Sequence, residues 1–126
     1  MKLILLLFLF IGSVSGCEQQ ENEQEITAKN LEKQLAGIHA VIDAGSCSET
    51  GECRFLAYGS KACGGPQGYL LFSNQVDVEA LTKMVEDYNK AEDDYNRKFG
   101  VSSDCFFVTP PPQIECANGK CVQVEQ

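Results

Sequence analysis

The chain has no tryptophan and a single histidine, His39, among its 126 residues. Carbohydrate platforms favour tryptophan, so a sugar-binding surface would have to rest on Tyr58, Tyr69 and Phe72. One histidine denies a zinc site its second imidazole and leaves a cysteine or serine nucleophile a single candidate base. The paired cysteines fall as C-x5-C and C-x4-C, not as the C-x2-C of zinc sites. No G-x-S-x-G, H-E-x-x-H or phosphate-loop signature occurs, and DAGSCSETGE lacks the alternating oxygen ligands of a calcium loop. Basic residues are scarce and unclustered, 10 against 18 acidic for a net charge of −8, which speaks against a nucleic-acid partner. The longest apolar run, Leu3 to Ile11, has nine residues, well short of the ~20 that a spanning helix needs. These absences leave an enzyme unexpected and call for neither metal nor dissociable cofactor.

The N-terminus is the most informative stretch. It reads MKLILLLFLFIGSVSGC: one positive charge, the apolar run, then mostly small residues ending at Cys17. That is the layout of a secretory signal peptide. The closing Val14-Ser15-Gly16-Cys17 resembles the lipobox of bacterial lipoproteins. The resemblance implies that residues 1–16 are removed and that the Cys17 thiol carries diacylglycerol. It also implies acylation of the new amine and a chain held in the bilayer of the bacterial cell envelope, facing periplasm or cell surface. The covalent lipid would then be the only prosthetic group. Residues 18–25, EQQENEQE, carry four glutamates and no apolar side chain, so residues 17–26 read as the lipidated cysteine and a solvated acidic tether.

Cysteine arithmetic points the same way. Seven cysteines cannot all pair within one chain; setting Cys17 aside leaves Cys47, Cys53, Cys63, Cys105, Cys116 and Cys121. Outside the cytoplasm six cysteines read as three disulfides, a useful staple for a domain of roughly 100 residues. Which of the 15 pairings forms is open.

Residues 27–126 are expected to form one domain without internal repeats. Leu31, Leu35, Ile38 and Ile42 recur at helical spacing, with Thr27 placed to cap and Gly45 to terminate. A polar loop bounded by Cys47 and Cys53 leads to a strand, CRFLAY, and GYLLFS gives a second, paired as a hairpin. Residues 77–99 repeat apolar side chains at steps of three and four between Asp77, an N-cap residue, and Gly100, a C-terminal stop. The acidic run on this helix is read as a solvated face, because Glu79–Lys83, Glu86–Lys90, Asp93–Arg97 and Asp94–Lys98 all have i,i+4 spacing. Cys105 to Val108 reads as a third strand, stopped by Pro110-Pro111-Pro112. Two more strands flank Asn118-Gly119, a hairpin turn whose register sets Cys116 opposite Cys121, within disulfide reach. The expectation is an α+β fold, order α-β-β-α-β-β-β, with two helices packed on a small antiparallel sheet.

The segment YGSKACGGPQGY holds the candidate binding loop: Lys61, Ala62, Gly64, Gly65 and Pro66 around Cys63. In one reading the glycines make a turn and Cys63 staples the hairpin to an element near Cys105. In the other, Lys61 and Ala62 stand exposed on a rigid loop, as in peptidase inhibitors, with the lysine entering an acidic pocket. The CGGP-x-x-YL pattern resembles small cysteine-rich secreted or lipid-anchored bacterial proteins, a group that implies no particular activity. The expected role is thus a membrane-anchored binding or structural module. A peptidase inhibitor and a carbohydrate-binding module are the alternatives.

Overall fold

The computed structural model describes residues 16–124. The signal-peptide reading, up to Ser15 of the lipobox, lies outside the described residues. Helix α1 spans Gly16–Ala44, a short 3₁₀ turn Thr50–Glu52, strands β1 and β2 Cys53–Tyr58 and Gly68–Ser73, helix α2 Val78–Phe99, and strands β3 and β4 Ile114–Ala117 and Lys120–Gln123. The fold is α+β, and its four described strands form two separate antiparallel hairpins.

Helix α1 begins about ten residues before the expected start, so the acidic stretch is a helical stalk and not a coil tether. Glutamate and glutamine have good helix propensity, and carboxylates in the opening turns favour the positive end of the helix dipole. Thr27 is consequently interior and not a cap: its hydroxyl donates back to the Glu23 carbonyl at 2.8 Å. At the far end the backbone of Gly45 passes so close to Val76 that a Cβ would lie 2.3 Å from its Cγ1.

Helix α2 follows its sequence pattern closely. The Asp77 carboxylate accepts from the Ala80 N–H at 3.0 Å, and Gly100 closes the helix in the left-handed region at φ 61°. Leu81, Val85 and Tyr88 are buried against Leu31 and Ile38 of α1 and against Leu70 and Phe72 of β2. The two helices run antiparallel. Lys98 near the end of α2 pairs with Glu23 near the start of α1, whereas Gly37 and Gly45 lie beside Met84 and Val76.

In the first hairpin Leu56 opposes Leu70 and Arg54 opposes Phe72, so β2 presents Leu70 and Phe72 to the helices. The second turns at Asn118 and Gly119, with φ 52° and 77°, and sets Cys116 opposite Cys121 as the register requires. That pair nonetheless does not bond. Cys116 joins Cys47 and Cys121 joins Cys53, because the hairpin lies against the loop and strand that carry Cys47 and Cys53. One link to the loop after α1 and one to β1 replace a link within the hairpin. The third bridge is Cys63–Cys105.

The expected strand at Cys105–Val108 does not form. Its backbone is engaged by side chains instead of a ladder: the Phe106 carbonyl accepts from Lys61, and the Phe106 N–H meets the Asp104 carboxylate. Of the four expected i,i+4 pairs only Asp93–Arg97 is made. Lys83 reaches forward to Asp87 and Lys90 to Asp94, leaving Lys98 free to cross to α1.

Candidate functional site

The loop between β1 and β2 is suspended from α2. The Gly59 N–H donates to Asn89 Oδ1 at 2.6 Å, the Ser60 N–H to the Glu92 carboxylate, and Asn96 Nδ2 to the Ser60 carbonyl at 2.7 Å. Gly59 has φ 81°, and a Cβ there would strike Gln67 and Glu92, so the chain can turn under the helix only with glycine at this point. The loop then closes on itself. The Lys61 N–H donates to the Gly65 carbonyl and the Gly64 N–H to the Lys61 carbonyl, with Gly64 and Gly65 both at positive φ.

Lys61 does not project into solvent. Its side chain is 8% exposed, and Nζ donates to Asp104 Oδ1 at 2.6 Å and to the Phe106 carbonyl at 2.9 Å. The lysine bonds and the nearby ammonium charge hold the Asp104 carboxyl below its ordinary value. Two residues on, Cys63 is bridged to Cys105, and its N–H donates to Ser103 Oγ. The exposed-lysine reading is therefore corrected: the lysine is the peg that holds residues 104–106 to the loop. Ala62, Gly64 and Gly65 are exposed and Pro66 is half-buried. The reading in which Cys63 staples the hairpin near Cys105 is the one observed.

What this clamp displays is Phe106 and Phe107, each 81% exposed. From Cys105 to Ile114, CFFVTPPPQI, no residue is charged. The run of prolines beside the two phenylalanines was the signal that this segment sits outside a sheet, since proline cannot donate to a ladder.

The other sequence candidates are dispersed. Phe72 is buried and Tyr58 packs on the core, while Tyr69 lies on the opposite face of the hairpin, edge-on to Phe55. Those three rings form no shared platform. His39 is exposed on α1. The sulfurs of Cys47, Cys53 and Cys121 lie within 4.8 Å of one another, but each is half of a disulfide and offers no thiolate to an ion. Cys17 is the one cysteine outside a disulfide, and it is exposed. Among the described residues no helix is long and apolar enough to cross a membrane. Comparisons with protein-family models, curated proteins and solved structures find no match.

Proposed function

We propose that this chain is a bacterial lipoprotein, anchored through a diacylated Cys17 and displaying an α+β domain at the cell envelope as a binding or structural module. The observation that carries the reading is the division of the cysteines. Six are paired in three bridges, and the seventh, exposed and unpaired, is the residue that ends Val14-Ser15-Gly16-Cys17. Two or more acyl chains on one cysteine give lasting attachment, where a single chain gives only marginal binding. Disulfides accord with an oxidising compartment outside the cytoplasm. The peptidase-inhibitor alternative is not carried further, because its recognition lysine is buried in an ion pair. The sugar-binding alternative lacks a shared aromatic face.

The test is expression in a bacterial host. The chain should fractionate with membranes, and mass spectrometry should find Cys17 as the first residue with a thioether-linked diacylglycerol. Cys17→Ser should leave an unprocessed precursor or release the domain. An unmodified thiol at Cys17, or cleavage at another bond, would overturn the reading.

A further inference from the structure

We propose that Phe106 and Phe107 form a second bilayer contact beside the lipid on Cys17, their rings entering the interfacial region of the membrane. The proposal rests on the lipid-anchor reading above.

Four observations converge on it. The first is position. Glu23 of α1 is level with Lys98 of α2, so Cys17, six residues earlier on a continuous helix, lies about 9 Å past that level. The loop carrying Lys61 hangs from Asn89, Glu92 and Asn96, in the last three turns of α2. The phenylalanines therefore leave the molecule at the end where α1 starts and α2 stops. The second hairpin occupies the opposite end, where Lys120 pairs with Asp43 of α1. The second observation is reach: a helical stalk fixes the domain close to the anchor, where an extended ten-residue tether would let it stand off by about 33 Å.

The third is charge. In a strongly acidic chain, ten consecutive residues from Cys105 to Ile114 carry none, and the nearest carboxylate, Asp104, is matched by Lys61. This uncharged segment can enter the headgroups without the desolvation cost that the glutamates of α1, at the same end, would incur. The fourth is size. Two phenylalanine rings expose on the order of 300 Å², well below the ~800 Å² per partner of a stable protein interface. A bilayer needs no matching patch, and aromatic side chains bury readily at its boundary. The Cys63–Cys105 bridge and the Lys61 clamp hold the backbone that carries Phe106 in place beforehand, so less order is lost on insertion.

The absence of tryptophan supplies a clean probe. Phe106→Trp and, separately, Phe107→Trp are introduced into the full lipidated protein and reconstituted in phosphatidylcholine vesicles, with Phe55→Trp on β1 as the control. Tryptophan at 106 or 107 should emit at shorter wavelength than in the delipidated protein. It should lose intensity to lipids brominated on the acyl chain, whereas tryptophan at 55 should do neither. Protein that floats with vesicles yet shows unshifted, unquenched tryptophan at both positions overturns this inference and leaves the anchor reading intact. Protein that fails to float overturns the anchor reading itself. Quenching at 55 equal to that at 106 would show an unoriented domain and would also overturn the inference.

Discussion

Lys61 Nζ lies 2.6 Å from Asp104 Oδ1, joining the β1–β2 loop to the segment after α2 across 43 residues of sequence. The pair is lopsided, with a lysine 8% exposed and an aspartate 62% exposed. Removing the lysine leaves the Phe106 carbonyl without its donor. Lys61→Met should therefore destabilise the domain by about 1.5–3 kcal/mol, the range for hydrogen bonds to charged groups. A urea midpoint unchanged from wild type would show that the clamp contributes nothing.

The same pair sets a pH dependence at the acid end. Asp104 titrates below its ordinary 3.8 in the folded chain. Its contribution is therefore fully present above that value and disappears as pH falls through the lowered folded one. The stability difference between wild type and Asp104→Asn should shrink on acidification through that window. A difference that stayed constant would place the carboxylate free of Lys61.

The bridges Cys47–Cys116 and Cys53–Cys121 span 69 and 68 residues, and either alone would constrain the unfolded chain by about 4 kcal/mol. Together they are not additive, because with one in place the other closes only a small ring between neighbouring pairs. Cys53→Ser with Cys121→Ser should cost about 3 kcal/mol, less than the isolated-loop value. Non-reducing peptide mapping should recover 47 with 116, 53 with 121 and 63 with 105. A Cys116–Cys121 peptide would contradict the fold's central connection.

Helix α2 and the two hairpins were legible in the sequence because their signals are local. Asp77 caps, Gly100 stops, and Asn118-Gly119 dictates a register that the structure reproduces. The start of α1 was misread because polarity argued for a coil, whereas the propensity of EQQENEQE and the dipole favour helix. The partners of Cys47 and Cys53 and the burial of Lys61 were not legible. Each depends on which distant segment is brought alongside, and neighbouring residues carry no trace of that. Cys17 stood out by its place at the end of Val14-Ser15-Gly16-Cys17 and by the odd cysteine count, neither of which needs geometry.

Leu81, wholly inaccessible to solvent, is flanked by Ile38 and Val85 at 1% exposure, and these three are the largest fully buried side chains among the described residues. They sit where α1, α2 and β2 meet, so the surroundings have little freedom to collapse into a void. Leu81→Ala should cost about 2–5 kcal/mol. Urea denaturation should show a lower midpoint with an unchanged slope; a loss well under this range would place Leu81 at the margin of the core.

Tyr88 links that core to the suspended loop, its hydroxyl 3.4 Å from a Glu92 oxygen while the other Glu92 oxygen accepts from the Ser60 N–H. Burial pushes the phenol up from 10.0 to about 12, and the adjacent Glu92 carboxylate adds to the rise. The unfolded chain thus loses this proton first. Stability from keeping Tyr88 neutral is fully present below pH 10 and drains away as pH climbs toward 12. Two pH units correspond to about 3 kcal/mol at most. Unfolding free energies measured from about pH 9 to 11 should fall more steeply for wild type than for Tyr88→Phe, which has no proton to lose. Parallel slopes would mean that the ring ionises freely inside the fold. In that case the Tyr88 hydroxyl would not be donating to the Glu92 carboxylate that receives the Ser60 N–H of the suspended loop.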